Sequence, residues 1–482
     1  MIGVKEYDLI VIGTGSAMEI VNTAIQKNPH IKVAIIDKDE PGGICLTRGC
    51  IPSKILLYSA ELIRTLENAE ELGVDVEVKE VNFGKIMDRM RTLVNKEIDA
   101  IRNGLSHSKN VDYYPAKAEF VAPYTLNVQD NTITSKMIIL CTGSKPTIPP
   151  IKGLEKTGYH TSDTILKMKK LPQSIAIIGG GYIAAEYGHF FSAMGAKVTV
   201  IGRNPRFLPE EEPEISALAE KELGKHMRII VNHEVREVEK TSFDEKKLVA
   251  FDRESKRTVE IIAQEILVAT GRSSNTDILN PEKSGVKVDK DGWIQVNEYL
   301  ETSQPNIWAL GDADGKYQFK HVANYEALIV YYNAILKNKV NVDYHAVPHA
   351  VFTYPEIASV GLKEKEAIEK YGKDKVLIGF HRYQDTAKGE AMNIKGDYFV
   401  KIIVEKGSMK ILGAHIIGPH ASMLIQEIIN VMYVPEQSAL PIMTAMHIHP
   451  ALSEVVQKAV GSLMNPDIYH HIIEEHYQLS TK

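Results

Sequence analysis

Short apolar runs alternate with longer amphipathic stretches from the N-terminus to about residue 275. Runs such as 8–13 and 137–141 have the length of buried strands, and the stretches between them show helical periodicity. This alternation is typical of parallel sheets whose strands are connected by crossover helices. The pattern therefore predicts an α/β fold for the first part of the chain.

The pattern changes from about residue 347 onward. Strand-like runs at 350–353 and 399–404 precede helical patterns at 421–432 and 451–463. Strands followed by helices, with no glycine-rich turn among them, predict a separate α+β domain.

Proline-rich residues 145–151 and the segment 276–281 indicate domain boundaries. The chain is therefore expected to divide into 1–150, 151–275, 276–346 and 347–482.

Composition favours a multidomain enzyme with no nucleic-acid or membrane partner. Apolar residues make up 44% of the chain and charged residues 24%, and the net charge is −6. No basic block is present that would bind nucleic acid or an anionic membrane surface. The apolar runs are far shorter than the roughly 18 residues of a membrane span. The first strand begins too early for a secretion signal, and we expect a cytoplasmic protein.

A strand, a glycine turn and a helix follow one another twice, which predicts two Rossmann-like dinucleotide sites. In the first, Gly13 and Gly15 let the backbone bend and approach a pyrophosphate at a helix N-terminus. Asp37, at the end of the next strand, is placed to accept hydrogen bonds from a ribose diol. Met18 replaces the third glycine, so a plain tight turn is the alternative.

The second turn matches the dinucleotide fingerprint more fully, with Gly179, Gly181 and Ala184. Arg203 and Arg206 follow the next strand, where an acidic residue would repel a 2′-phosphate. Paired guanidinium groups can hold that phosphate, so NADPH is favoured and NADH remains possible. The alternative is two solvated loop arginines.

Two cysteines, Cys45 and Cys50, lie in a loop with Gly49 between them, and a helical pattern follows the second. Such a loop can bring the two sulfurs together, and a helix N-terminus stabilises a thiolate at Cys50. Zinc is the alternative, but the one other cysteine, Cys141, lies in an apolar strand and reads as a core residue. We therefore predict a redox pair and no metal site.

Near the C-terminus, His449 precedes Pro450, and Glu454 follows in the first turn of a predicted helix. Glu454 can reach back to orient one imidazole nitrogen, which leaves the other to exchange protons with a thiol. Taken alone, such a pair is more often a surface ion pair or a helix cap. The cysteine loop favours the acid–base role.

These motifs together resemble the class I pyridine nucleotide-disulfide oxidoreductases, a family that includes dihydrolipoamide dehydrogenase, glutathione reductase, mercuric reductase and mycothione reductase. The resemblance covers nearly the whole chain. Besides the two turns, the cysteine loop and the segment from His449 to Glu454, it includes Cys141-Thr-Gly-Ser144, Ala269-Thr-Gly-Arg272, Ala309-Leu-Gly-Asp312 and residues 352–361.

The resemblance implies FAD in the first site, with Asp312 on its ribityl or phosphate region, and NAD(P) in the second. It also implies a Lys54–Glu186 ion pair beside the flavin, a central domain that completes the FAD site, and a terminal dimerisation domain. A homodimer with shared active sites is expected, in which each histidine serves the partner's cysteines. The remaining residues expected at the cofactors are Gly43, Thr142, Gly143, Gly271 and His321.

The substrate is expected to be a small-molecule disulfide or a lipoyl dithiol. The paired arginines resemble those of glutathione and mycothione reductases, and residues 382–388 and 448–455 look closest to mycothione reductases. Mercury reduction is not expected because no cysteine follows Cys141. Two other functions stay open: a flavoprotein diaphorase or oxidase with an unused cysteine pair, and a subunit that docks a lipoyl carrier complex.

Overall fold

The computed structural model describes residues 4–477. The chain forms two compact units, each assembled from three segments. The first comprises Met1–Ile55, Lys85–Thr147 and Gly271–Asp343, and the second comprises Leu56–Gly84, Ile148–Thr270 and Tyr344–Lys482.

In chain order, the strands of the described part are β1 (Lys5–Tyr7), β2 (Leu9–Ile12), β3 (Val33–Ile36), β4 (Val111–Tyr114), β5 (Ala118–Ala122), β6 (Thr125–Val128), β7 (Asn131–Ser135), β8 (Ile138–Leu140), β9 (Ser144–Pro146), β10 (His160–Thr161), β11 (Ser174–Ile178), β12 (Lys197–Ile201), β13 (Arg228–Ile230), β14 (His233–Lys240), β15 (Lys246–Asp252), β16 (Thr258–Ala263), β17 (Glu265–Val268), β18 (Arg272–Ser274), β19 (Ile307–Ala309), β20 (Pro348–Val351), β21 (Glu356–Gly361), β22 (Val376–Arg382), β23 (Phe399–Glu405) and β24 (Ile411–Gly418). The α-helices are α1 (Met18–Lys27), α2 (Gly43–Thr47), α3 (Cys50–Leu66), α4 (Phe83–His107), α5 (Leu154–Thr157), α6 (Tyr182–Ala193), α7 (Pro213–Leu223), α8 (Lys320–Val330), α9 (Glu364–Tyr371), α10 (Ala387–Ala391), α11 (Ala421–Met432), α12 (Leu440–Thr444), α13 (Glu454–Gly461) and α14 (Pro466–Tyr477).

The first unit is built on a parallel five-stranded sheet in the order β19-β8-β2-β3-β4. Every residue of β2 and β3 is buried because both faces of the sheet are covered. Leu9 and Val11 face a core that includes α1 and α8, whereas Ile10 and Ile12 face a second core with strands β5 to β7. The alternation of side chains along a strand therefore divides one apolar run between two cores.

The second unit repeats this design with a parallel sheet in the order β10-β17-β11-β12-β13. A three-stranded antiparallel sheet, β14-β15-β16, packs on one of its faces. The same unit contains the terminal antiparallel sheet β20-β21-β24-β23-β22, whose core includes residues of α11 and α13.

The predicted fold class is confirmed, with two parallel nucleotide-type sheets and a terminal α+β region. Two apolar regions within the first 275 residues differ from the parallel prediction, because β5 to β7 and β14 to β16 form antiparallel hairpins. Their connections are too short to contain a crossover helix, which parallel neighbours require. Across residues 4–477, no helix combines the length and apolar character needed to cross a membrane.

Candidate functional site

The first glycine turn depends on glycine for steric reasons. Gly13 follows β2 with φ of +109°, and a Cβ there would lie 2.0 Å from the carbonyl oxygen of Cys141. A Cβ on Gly43 would lie 2.7 Å from the Cα of Gly15, so these two backbones also approach closely. The result is a bare backbone surface just before α1, which suits close approach of a pyrophosphate.

Asp37 directly follows β3, and its carboxylate is tied to this turn. Thr14 donates to Asp37 Oδ2 from its amide at 2.8 Å and from its hydroxyl at 2.5 Å. The amide of Asp39 donates to Asp37 Oδ1 at 3.0 Å. A carboxylate offers about four acceptor positions, so Asp37 retains capacity for a ribose hydroxyl.

Further polar groups lie at the ends of β8 and β19. Among the described residues, the Thr142 hydroxyl oxygen is buried without a hydrogen-bond partner. Asp312 lies in the turn after β19, accepts a hydrogen bond from the Ser144 hydroxyl, and has its Oδ2 3.8 Å from Nε of Arg272. A bare glycine turn, an aspartate at a strand end and an unsatisfied buried hydroxyl fit a polar dinucleotide such as FAD.

The other residues predicted at the cofactors occupy distinct places in the first unit. Gly143 has φ of +66°, and a Cβ there would lie 3.2 Å from Ile44 Cδ1. Gly271 has φ of +107°, and its carbonyl accepts from the Thr147 amide at 2.9 Å. His321 is exposed in the first turn of α8 and its ring stacks on Phe319.

The second glycine turn reproduces the geometry of the first. Gly179 follows β11 with φ of +131°, and a Cβ there would lie 2.1 Å from the carbonyl oxygen of Ala269, just after β17. This is the counterpart of the contact between Gly13 and Cys141. Gly181 is the residue before α6, so the turn leads directly into a helix N-terminus that can bind a phosphate.

Arg203 and Arg206 are exposed just beyond β12. A third arginine, Arg253, lies in the hairpin of β15 and β16. Its guanidinium donates a hydrogen bond to the backbone carbonyl of Arg203 at 3.0 Å. Arg253 is not predicted from the sequence, since it lies in a hairpin about 50 residues further along the chain, and nothing in that hairpin indicates the contact. The loop after β12 therefore carries two exposed arginines, and the side chain of a third arginine is hydrogen-bonded to its backbone.

The two cysteines are brought together by a pair of helices. Cys45 lies in α2, and Cys50 is the first residue of α3. A hydrogen bond to Cys50 raises the pKa of the Cys45 thiol, and burial raises it further. The raised pKa favours the protonated form of Cys45, and Cys50 lies at a helix N-terminus, a position that stabilises a thiolate.

Cys141 belongs to a different environment. The residue as a whole is half-buried and packs against the core beneath α1, while enclosure of its thiol raises its pKa to about 11. No cluster of histidine, cysteine or acidic residues able to hold a metal ion occurs among residues 4–477. The packing of Cys141 and the raised pKa of its thiol match its predicted role as a core residue.

Lys54 and Glu186 lie in different units, so their predicted ion pair stays a prediction. Lys54 is in α3, one turn after Cys50, with its Nζ 3.5 Å from the Ser53 hydroxyl oxygen. Glu186 is a buried residue of α6 and accepts a hydrogen bond from the Phe352 amide at 3.1 Å.

His449 and Glu454 form the predicted pair. Nδ1 of His449 lies 2.9 Å from Glu454 Oε1, and the Ala451 amide donates to Glu454 Oε2 at 3.1 Å. The hydrogen bond from His449 is the main reason that the pKa of Glu454 lies below its usual value. Glu454 is the first residue of α13, so the Ala451 amide and the His449 ring hold its carboxylate just before the helix, and the His449 side chain stays 71% exposed.

A second histidine two residues earlier behaves differently. The side chain of His447 is only 7% exposed, and its two nitrogens lie near the Ala445 carbonyl and the Glu427 carboxylate. Met446 and Ile448, on either side of it, are strongly exposed apolar residues. His449 is therefore the histidine that can reach another molecule, and it stands in apolar surroundings.

Two family models match the chain. Residues 7–327 match the pyridine nucleotide-disulphide oxidoreductase model, and residues 347–460 match the dimerisation domain of pyridine nucleotide-disulphide oxidoreductases.

Curated relatives match over nearly the full length. Mycothione reductase from Mycobacterium tuberculosis strain H37Rv is 34% identical over 476 residues, which cover 95% of this chain and 100% of the relative. Dihydrolipoyl dehydrogenase from Chlamydia trachomatis is also 34% identical, over 94% of this chain and 95% of the relative. Among solved structures, the HOCl-induced flavoprotein disulfide reductase RclA from Escherichia coli, in its Cu(II) complex, superposes with a TM-score of 0.83 at 26% identity, covering 95% of this chain and 99% of RclA.

Proposed function

Because this chain belongs to the pyridine nucleotide-disulphide oxidoreductase family, an NAD(P)H-dependent family of flavoproteins, we propose that Cys45 and Cys50 form its redox centre. The observation that carries this proposal is the hydrogen bond between the two thiols, with Cys50 at the start of α3. A pair of thiols in contact can form a disulfide and be reduced again. Cys141, in contrast, packs against a hydrophobic core.

The first glycine turn, Asp37, Thr142 and Asp312 would hold FAD. When bound, FAD would supply the transfer of two electrons between the nicotinamide and the cysteine pair. The helix N-terminus at Cys50 would stabilise a thiolate, which would interact favourably with the electron-poor flavin ring. Glycine at position 13 keeps side chains away from the pyrophosphate, so the backbone itself makes the approach.

Thiol exchange follows from the two sulfurs and His449. In the reduced pair, His449 takes the proton of the Cys45 thiol, and the resulting Cys45 thiolate attacks a substrate disulfide, forms a bond to one substrate sulfur and displaces the other as a thiolate. His449, oriented by Glu454, gives that thiolate its proton. Cys50 then attacks Cys45, which releases the second substrate thiolate and closes the Cys45–Cys50 disulfide. In the reverse direction the same residues oxidise a dithiol.

The second site is proposed to favour NADPH over NADH. Arg203 and Arg206 stand at the strand end where the adenosine ribose binds in this type of site, and Arg253 adds a third cation through its contact with Arg203. Charge-assisted contacts to a phosphate are strong and directional for arginine. NADH would lack the group that these residues bind.

The proposed substrate is a small disulfide, with a lipoyl dithiol as the second candidate. The arginine loop favours the reductive direction with NADPH, and mycothione reductase is among the relatives. Dihydrolipoyl dehydrogenase is similar to the same degree, which keeps the lipoyl group in consideration. A working dithiol suits a reducing compartment, so we infer that the protein acts in the cytoplasm.

The active site is proposed to be shared between two chains. The region that contains His449 matches the family's dimerisation domain. Its exposed apolar side chains indicate a surface that another molecule covers, and these are Met423, Tyr433, Val434, Leu440, Met443, Met446 and Ile448. Dimerisation would bury this surface and bring His449 to the cysteines of the partner.

Cysteine replacement tests the redox assignment. We expect Cys45→Ser to abolish turnover of lipoamide, mycothione and glutathione disulfides, while reduction of an artificial dye by NADPH continues, because the dye needs no thiol. Cys141→Ser is the matched control and should keep both activities. Disulfide turnover by Cys45→Ser would show that the pair is not the redox centre. A wild-type protein that reduces the dye and none of the disulfides would instead be a diaphorase.

A further inference from the structure

Tyr182 lies directly after the glycine turn of the second proposed nucleotide site. It is the first residue of α6 and directly follows Gly181, so it stands at the helix N-terminus where the phosphates are expected. Its ring is half-buried, and its backbone belongs to the glycine turn. A group that fixes this ring therefore restricts the side chain of the residue next to the turn.

A histidine from the terminal sheet packs on this ring. The imidazole of His349, in β20, stacks on Tyr182 with centroids 5.3 Å apart and planes 24° from parallel. Nε2 of His349 lies 3.2 Å from the Tyr182 hydroxyl oxygen. The two rings therefore meet both face to face and at their polar tips.

The buried carboxylate of Glu211 contacts both rings. Oε1 of Glu211 lies 2.7 Å from Nε2 of His349, and Oε2 accepts a hydrogen bond from the Ser359 hydroxyl at 2.7 Å. Glu211 is only 1% exposed and also hydrogen-bonds the Tyr182 side chain. One carboxylate thus binds the tips of both stacked rings.

The charges around the group favour an ionised Glu211 and a protonated Tyr182. Burial by itself raises the pKa of Glu211, but hydrogen bonding and charge from His349, together with Ser359 and His415, hold it below its usual value. Burial, followed by the negative charge of Glu211 and Glu210, raises the pKa of Tyr182. The hydroxyl therefore remains a donor, and the carboxylate remains an acceptor.

We propose that His349 and Glu211 are positioning residues that fix the Tyr182 ring beside the second glycine turn and thereby set the affinity for the nicotinamide nucleotide. A ring held on one face and at its tip has few rotamers left, so a bound nucleotide meets an ordered surface. Releasing the ring adds an ordering cost to each binding event. This inference rests on the proposed nucleotide site and requires no particular disulfide substrate.

The experiment measures NADPH binding directly, by anaerobic calorimetric titration of the FAD-loaded protein after chemical reduction of both FAD and the cysteine pair, so that NADPH binds without transferring its hydride. His349→Ala should raise the dissociation constant for NADPH about three- to tenfold. The maximal rate of disulfide turnover at saturating NADPH should stay within about twofold, because the group has no part in the thiol chemistry. His381→Ala, in β22 of the same sheet, is the control for general weakening of the terminal domain and should leave NADPH binding unchanged.

A double-mutant cycle shows whether His349 acts through Tyr182. In a Tyr182→Ala background, His349→Ala should add nothing further to the dissociation constant. His349→Gln keeps a donor for Glu211 but removes the stacked ring, and its effect should lie between wild type and His349→Ala. An unchanged dissociation constant in His349→Ala, or an undiminished effect without Tyr182, would overturn the inference alone. A wild-type protein that binds no NADPH would overturn the nucleotide site and the inference together.

Discussion

At the scale of single residues, glycine and cysteine define the candidate site by opposite means. Gly13 and Gly179 act through the absence of a side chain, since a Cβ on either would overlap a carbonyl oxygen at the end of a neighbouring strand. Cys45 and Cys50 would act through their thiols, and the hydrogen bond to Cys50 raises the pKa of the Cys45 thiol. We therefore propose that Cys50 faces the flavin and Cys45 the substrate.

The assignment of the sulfurs predicts a spectroscopic signature. A thiolate at Cys50 against the flavin ring should add long-wavelength absorbance when the FAD-loaded enzyme takes up two electrons. Cys45→Ser should retain this band or show it without reduction, because Cys50 keeps its helix N-terminus. Cys50→Ser should lose it, and Cys141→Ser should behave as wild type. The opposite pattern for Cys45 and Cys50 in anaerobic titrations would reverse the assignment.

The arginine loop predicts nucleotide preference. Replacing Arg203 and Arg206 together with alanine should raise the Michaelis constant for NADPH at least about tenfold, since charge-assisted contacts contribute about 1.5–3 kcal/mol. The Michaelis constant for NADH should change little, because NADH has no 2′-phosphate. Arg228→Ala is the control, since Arg228 is exposed at the start of β13 and pairs with Thr199, within β12 and before the loop that carries Arg203 and Arg206. Equal changes for both nucleotides would exclude phosphate recognition by this loop.

At the scale of elements, one buried lysine joins strand β23 to helices α7 and α9. The ammonium of Lys401 lies 2.5 Å from Glu214 and 2.7 Å from Glu364, and Glu212 is 3.4 Å away. The Tyr469 hydroxyl donates to Glu214 at 2.5 Å. Although burial alone would raise it, the charge of Lys401 lowers the pKa of Glu214 to about 2. Removing this cation would leave three buried carboxylates close together without the ammonium group that pairs with all of them.

We therefore expect Lys401→Met to destabilise the protein by about 3–5 kcal/mol, as measured when one partner of a buried ion pair is removed. Lys406→Met, at an exposed position just beyond the same strand, should have little effect. Because the folded pKa of Glu214 is depressed, its stabilising contribution is complete above the usual glutamate pKa near 4.5 and declines as pH falls toward 2. Thermal unfolding between pH 7 and pH 3 checks both statements, and equal midpoints for the two variants would contradict the role of Lys401.

At the scale of the whole molecule, the chain supplies the cysteines and the histidine from different compact units. The histidine belongs to the region that matches the dimerisation domain, and apolar side chains around it are exposed. A shared site would make disulfide turnover depend on the dimer, whereas FAD and NADPH binding would remain properties of each chain.

Complementation between inactive variants tests this arrangement. Cys45→Ser and His449→Ala proteins, each nearly inactive, are mixed under conditions that exchange subunits. A mixed dimer would contain one site with both lesions and one with neither, so random exchange should restore roughly a quarter of wild-type activity per subunit. Mixing Cys45→Ser with Cys50→Ser protein is the control and should restore nothing, because both lesions affect cysteines of one loop. No recovery despite demonstrated mixed dimers would assign His449 to its own chain or to a structural role.

The sequence by itself determined the features that depend on neighbouring residues. Gly13 and Gly179 predict their turns because few other residues tolerate a positive φ with so little space for a Cβ. Buried strands are likewise predicted by their apolar runs. The close spacing of Cys45 and Cys50, and of His449 and Glu454, likewise placed each pair within reach.

Only the tertiary structure decided which distant residues meet at these places. Arg253 reaches Arg203 from a hairpin, Glu211 binds His349 from 138 positions away, and Lys401 gathers carboxylates from two helices. None of these residues stands out in the sequence. A charged residue has the same kind of sequence neighbours whether its side chain ends in solvent or contacts a buried partner. The packing of sheets and helices determines which distant groups meet. A buried charge is stable only where this packing supplies an opposite charge or a hydrogen-bond partner.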